Sequence, residues 1–110
     1  MELYGLKNCD GCKKALKALQ SSGQFVEFID LRATPVEVAR LQKWLDEHGD
    51  AVLINRKSTT WRGLDDEARQ QPVLALLTAN PTLVKRPVIE RGENSFVGWT
   101  TEVQTALGLV

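Results

Sequence analysis

Along the first thirty residues the spacing of apolar positions changes twice. Glu2 to Leu6 is a short apolar-rich run that ends at a glycine and a lysine, and Phe25-Val-Glu-Phe-Ile-Asp30 alternates aromatic or branched residues with acids. Both patterns predict strands. Between them Cys12, Ala15, Leu16 and Leu19 fall at i, i+3, i+4 and i+7, with Lys13, Lys14 and Lys17 on the other faces and Gly23 just beyond. That spacing predicts an amphipathic helix with a stop signal. A strand, a helix and a strand in so short a span form a βαβ unit, normally with parallel strands and a right-handed crossover.

Further on, Thr34-Pro-Val-Glu37 has the form of a helix start: threonine caps, proline suits the first helical position, and Glu37 completes a capping box. The helix is expected to run to about His48 and end at Gly49, with Val38, Leu41, Trp44 and Leu45 as its apolar stripe. A polar, turn-prone stretch, NRKSTTWRGLDDEARQQ, follows. PVLALLTAN, apolar nearly all round and closed by Pro81, predicts a short buried helix. RPVIERGENSFVGW carries two strand-like runs around Gly92-Glu93-Asn94, an antiparallel hairpin, and TTEVQTALG closes as a helix capped by Thr100 or Thr101. The order is βαβ, a helical section over about residues 34–80, then ββα. It predicts an α/β chain with one four-stranded mixed sheet, the order of a thioredoxin-like domain with helices inserted in its middle. A chain of 110 residues, 43% hydrophobic, has material for one core, so a single domain over residues 1–110 is expected.

Charge narrows the function classes. Lysine plus arginine and aspartate plus glutamate each total 14, which leaves no net field to draw in nucleic acid or an anionic membrane. No apolar run approaches the roughly 18 residues of a membrane span, and Met-Glu-Leu-Tyr-Gly at the start does not resemble a signal peptide, so a cytoplasmic protein is expected. The chain has two cysteines, Cys9 and Cys12, too few for a disulfide scaffold. Zinc needs about four ligands, and the chain offers no second cysteine pair and a single histidine, His48, so no metal is expected.

Cys9 falls in the turn after the first strand and Cys12 in the first turn of the helix. There the free amides and the positive end of the helix dipole favour a thiolate, and Lys7 and Lys13 add positive charge, against which Asp10 works. Cysteines so placed have pKa values lowered to about 3.5–7.5. Cys12 shares the apolar stripe and Cys9 precedes it, so Cys9 is expected to be exposed and attacking, Cys12 more buried and resolving. The alternative for Cys12 is that of a small core residue.

Taken together, LYGLKNCDGCKKA, LINRKSTTWRGLD and KRPVIERGENSFVGW, in that order and at these intervals, resemble the arsenate reductase and Spx superfamily, most closely its small YffB-like reductase branch. The resemblance implies that Cys9 is the nucleophile. It implies that Arg86 helps to bind the substrate, and that the bond preceding Pro87 is cis. A second binding cation falls at Arg56 or Lys57 according to how the loop is aligned, and Arg56 is favoured. Two features depart from the arsenate reductases: Val97-Gly98-Trp99 stands where they are expected to have a third arginine, and Gly5 where they place a histidine. Fewer guanidinium donors weaken the case for a tetrahedral oxyanion, whereas a carboxylate, such as one in glutathione, needs fewer.

The expected function is therefore a thiol-dependent reductase with no bound cofactor, glutathione or glutaredoxin serving as reductant, and either Cys12 or glutathione resolving the adduct on Cys9. The alternatives implied by the resemblance are a true arsenate reductase and an Spx-like redox-switched regulator that binds RNA polymerase. Gly49 aligns with a glycine at that polymerase contact, but a helix C-cap explains it equally well and is preferred. Arg62 and His48 are expected at the surface, Trp44 in the core, and Trp61 and Trp99 in packing beside the loops that carry the arginines.

Overall fold

The computed structural model describes residues 1–109. In chain order its elements are β1 (Glu2–Gly5), α1 (Asp10–Ser21), β2 (Glu27–Asp30), α2 (Val38–His48), α3 (Asp50–Leu53), α4 (Thr59–Arg62), α5 (Asp66–Arg69), α6 (Val73–Ala79), a 3-10 turn at Pro81–Leu83, β3 (Val88–Arg91), β4 (Asn94–Val97) and α7 (Thr101–Ala106). They fall into two compact units, one formed by residues 1–31 with the segment from Arg86 onward, the other by Arg32–Lys85.

The first unit holds a four-stranded mixed sheet in the order β2-β1-β3-β4. β1 and β2 are parallel, with Glu2 opposite Glu27 and Gly5 opposite Asp30, whereas β3 runs antiparallel to both β1 and β4. This is the thioredoxin-like arrangement that the element order predicts. Leu3 and Ile89 are paired across β1 and β3 and pack with Cys12, Ala15, Leu19 and Leu107 in one buried cluster. Each large apolar side chain buried in this way contributes about 1.5–3 kcal/mol. The predicted stripe of α1 is thus the face that meets the sheet, with Leu16 half-buried at its margin. α1 stops where Gly23 takes φ 86°, a conformation that disfavours any residue with a Cβ.

Strand β2 is shorter than the alternation predicts. The amide of Gln24 still bonds the Leu19 carbonyl at 3.2 Å, so the chain is turning off α1 there, and sheet pairing begins only where Glu27 N–H meets Met1 O at 2.9 Å. Phe25 is left 84% exposed. The hairpin is also tighter than predicted: Asn94 belongs to β4 opposite Arg91, leaving Gly92 (φ 63°) and Glu93 as a two-residue loop. Thr100 caps α7, its hydroxyl accepting from Val103 N–H at 3.2 Å. Beyond the cluster, the buried Tyr4 hydroxyl donates to Glu90 Oε1 at 3.2 Å, which supplies the buried carboxylate with a donor.

The second unit is helical. Leu41 and Trp44 of α2, Leu53, Ile54, Leu76, Leu77, Leu83 and Val84 are buried in it. α2 begins one turn later than the capping box predicts: Glu37, at ψ 143°, occupies the capping position and makes no side-chain cap bond. A cap is worth about 1 kcal/mol, too little to fix a helix start alone. Val38 drops out of the predicted stripe at 50% exposed. α6 buries only Leu76 and Leu77, so PVLALLTAN is a one-sided helix and not the all-round buried one expected. The polar stretch before it contains two single-turn helices, capped by Ser58 accepting from Trp61 N–H and by Asp65 accepting from Ala68 N–H. Among the described residues no helix is long and apolar enough to cross a membrane.

Candidate functional site

β1 ends against the tight turn Leu6–Cys9, closed by Cys9 N–H on Leu6 O at 3.2 Å, and Cys9 then caps α1, its carbonyl accepting from Lys13 N–H at 3.0 Å. Its backbone is extended (φ −97°, ψ 118°), which sets the sulfur at the mouth of the amides of the first turn. Cys9 is half-buried, not exposed as expected, because its side chain packs against the cluster that contains Leu3 and Cys12. Cys12 is 1% exposed.

The two sulfurs are driven in opposite directions. Partial burial alone would raise the Cys9 thiol, but the Cys12 amide, the Cys12 thiol and the Arg86 guanidinium all favour the charged form and hold it below the ordinary thiol value. Burial pushes the Cys12 thiol up to about 12; the neighbouring Cys9 charge adds to the rise, and the Leu6 backbone and Arg86 only partly oppose it. The arrangement sets a nucleophilic sulfur beside one that keeps its proton.

Arg86 reaches this place through the sheet. Val88 lies opposite Tyr4, so Arg86, two residues earlier and joined to Pro87 by a cis bond, lies level with the turn that follows Gly5. The positive charge that the sequence assigns to Lys7 and Lys13 comes instead from Arg86. The two lysines are exposed, and they line a cleft with Leu6, Cys12, Leu16 and Phe28.

Gly5, noted in the sequence only as a departure from the arsenate reductases, has a steric reason that sequence reasoning misses. A Cβ on it would overlap Cys12 Sγ and lie 3.1 Å from Cys12 Cβ. Its backbone is not in the left-handed region, so the glycine serves space and not conformation. The signal for it was present: a glycine that ends a strand, followed by a helix whose first turn carries a cysteine.

Arg56 and Lys57 belong to the second unit. Both are exposed and line a cavity of about 260 Å³ with Asn55 and Lys85. The Arg56 guanidinium lies 5.4 Å from the Trp61 ring centre and that of Arg69 5.3 Å from it, while Arg69 also donates to the Trp61 carbonyl. Arg62, expected as solvated surface, is exposed and donates to Lys57 O at 2.9 Å. Arg56 is the member of the pair whose cation lies against an aromatic ring. His48 Nε2 lies 3.8 Å from Glu47 at the end of α2, and Gly49 (φ 83°) closes that helix with a 2.8 Å bond to Leu45 O. Among the described residues no group of three or more His, Cys, Asp or Glu side chains converges as a metal site would.

Comparison with known proteins gives a consistent picture. The model of the ArsC family matches residues 4–107. An uncharacterised protein of Haemophilus influenzae is 37% identical over 101 residues, which covers 88% of this chain and 89% of the relative. The solved structure of the YffB protein superposes with a TM-score of 0.90 at 34% identity and covers 96% of each chain. An arsenate reductase (ArsC) related protein from Brucella melitensis superposes at 0.74 with 33% identity, over 96% of this chain and 91% of that one.

Proposed function

Because the chain belongs to the ArsC family, we propose that it is a thiol-dependent reductase in which the Cys9 thiolate attacks an oxidised sulfur. The observation that carries this reading is the convergence of Cys12 and Arg86 on the Cys9 sulfur, which favours charge on one thiol and disfavours it on the other. Family membership and the structural likeness to the YffB and arsenate reductase related proteins support an oxidoreductase of this kind.

In the first step the Cys9 thiolate attacks one sulfur of a disulfide RS–SR′. A Cys9–S–S–R bond forms, the S–S bond of the substrate breaks, and R′S⁻ leaves and takes a proton from water. Cys9 no longer carries charge in that adduct, so one of the causes that raise the Cys12 pKa disappears. Cys12 then loses its proton to solvent and its thiolate attacks the Cys9 sulfur, expelling RS⁻ and leaving a Cys9–Cys12 disulfide. The two protein thiols have given two electrons to the substrate. Two equivalents of glutathione, or the dithiol of a glutaredoxin, return them. Where glutathione itself attacks the adduct, Cys12 is bypassed. A disulfide or glutathione adduct suits the first unit better than a tetrahedral oxyanion, because Arg86 is the cation that bears on Cys9 and an oxyanion calls for several donors.

The test is glutathione-coupled turnover of a small neutral disulfide and of arsenate by the purified chain, with Cys9→Ser and Cys12→Ser alongside. The disulfide is expected to turn over and Cys9→Ser to abolish it. Undiminished turnover by Cys9→Ser would remove the proposal, and arsenate turnover at the same rate would shift the substrate class to oxyanions.

A further inference from the structure

The exchange reaction assigns no role to the cleft beside Cys12. This cleft has a volume of about 160 Å³ and is walled by Leu6, Cys12, Leu16 and Phe28, with Lys7 and Lys13 completing it. Leu6 and Cys12 are buried, Leu16 and Phe28 half-buried and both lysines exposed, so the lining is apolar and two solvent-exposed cationic side chains border it. Neither lysine has an ion-pair partner among the described residues. Two such cations beside an apolar recess outnumber the one acid between them in the sequence, the exposed Asp10 in the first turn of α1, and so leave a local positive excess in a chain of zero net charge. The volume matches that of an engineered apolar cavity of about 150 Å³ that holds benzene.

We propose that this cleft is a binding site for a small carboxylate of benzoate size, its ring against Leu6, Leu16 and Phe28 and its carboxylate toward Lys7 and Lys13. The ring gains by leaving water for a recess already lined with apolar atoms, and the carboxylate stays at the wet opening, where pairing with an exposed ammonium needs no desolvation of either charge. Cys9 does not line the cleft, but Cys12 is at once a wall of it and the thiol beside Cys9, and the proposal extends to the group carried on Cys9 after the first exchange. That extension rests on the exchange reaction; the binding itself does not.

The binding is tested on the full-length Cys9→Ser protein, in which no covalent adduct forms at that position. Amide chemical shifts are followed during titration with benzoate, with benzyl alcohol (ring without charge) and with acetate (charge without ring). Saturable benzoate shifts are expected at Leu6, Lys7, Cys12, Lys13, Leu16 and Phe28, with both controls weaker. Lys7→Gln with Lys13→Gln is expected to lower benzoate affinity roughly two- to fivefold per lysine while leaving benzyl alcohol unchanged. Shifts that are absent or scattered over the chain, or a benzoate affinity indifferent to both substitutions, would overturn the proposal. On the wild-type protein, an aromatic disulfide bearing carboxylates is then expected to have a higher kcat/KM than a neutral aromatic disulfide, a preference lost in the double lysine variant. Benzoate binding without turnover of any disulfide would reject the exchange reaction and keep the site. Turnover without benzoate binding would reject the site and keep the reaction.

Discussion

Gly5→Ala adds one methyl group at the point where β1 passes beneath the start of α1. The new Cβ overlaps Cys12 Sγ, lies 3.1 Å from Cys12 Cβ and 3.5 Å from Leu3 Cδ2. None of these neighbours has room to retreat, since Cys12 and Leu3 are 1% and 0% exposed and share a cluster with Ala15, Leu19 and Ile89. Overpacking a core in this way costs about 1–3 kcal/mol. Replacing a strand glycine by alanine returns about 0.5–1 kcal/mol of chain entropy; an overlap with a fully buried sulfur falls in the upper part of that range, about 2–3 kcal/mol, so the net loss is about 1–2.5 kcal/mol. In a Cys12→Ala background the overlapping sulfur is gone and only the 3.1 Å contact remains, so the same change should be close to neutral. Urea unfolding of the wild type, both single variants and the double variant, all under reducing conditions, forms a cycle with an expected coupling of about 1–2.5 kcal/mol. The same loss in both backgrounds, or a Gly5→Ala protein as stable as the wild type, would refute the claim that Gly5 is there to admit the second sulfur.

Other outcomes follow from the same geometry. Arg86→Gln removes a cation that favours the Cys9 thiolate, so the pH midpoint of Cys9 alkylation should move up, while Arg86→Lys should restore part of the shift; an unchanged midpoint in both would exclude Arg86 as a cause. Cys12→Ser should stop formation of the intramolecular disulfide under mild oxidation and leave a glutathione adduct on Cys9 detectable by mass spectrometry; loss of that adduct would show that Cys9 is not the attacking thiol. Trp44→Ala empties a fully buried aromatic site in the second unit and should cost about 3–5 kcal/mol by urea unfolding, whereas a loss under 1 kcal/mol would contradict its core position. Trp61→Leu removes the ring beneath Arg56 and Arg69, and at about 0.5–1 kcal/mol for each exposed cation–π contact it should lower stability by about 1–2 kcal/mol, most of it recovered in a Trp61→Phe protein.

What was legible in the chain was mainly what local chemistry decides. The stripe Cys12, Ala15, Leu19 meets the sheet as its spacing predicts, and Gly23, Gly92 and Thr100 mark the ends they signal. Phe25 and Val38 fit their local patterns equally well and yet stand in solvent, because strand pairing and helix packing begin further along, and periodicity carries no record of where a partner starts. At the site, the sequence placed Cys9 and Cys12 correctly at the strand-to-helix turn but credited Lys7 and Lys13 with the charge that Arg86 supplies. Lys7 and Lys13 are near Cys9 along the chain, whereas Arg86 is brought level with it only by the antiparallel register of β3 on β1. The family resemblance pointed to Arg86; the pattern of residues alone did not. Gly5 was noted as a departure from the arsenate reductases, but its reason, the sulfur of Cys12 occupying the space, exists only once β1 and α1 are packed.

The central claim, that the surroundings lower the Cys9 thiol and raise the Cys12 thiol beside it, is tested most directly by alkylating the reduced protein with iodoacetamide across pH and locating the label by mass spectrometry. Only the thiolate reacts, so each rate rises with pH through the pKa of its own group. Cys9 is predicted to be labelled with a midpoint below the ordinary thiol value, and Cys12 to stay largely unlabelled until the pH approaches about 12 or the chain unfolds. A Cys9 midpoint at or above that of an unfolded cysteine, or equal labelling of the two sulfurs near neutral pH, would contradict the account.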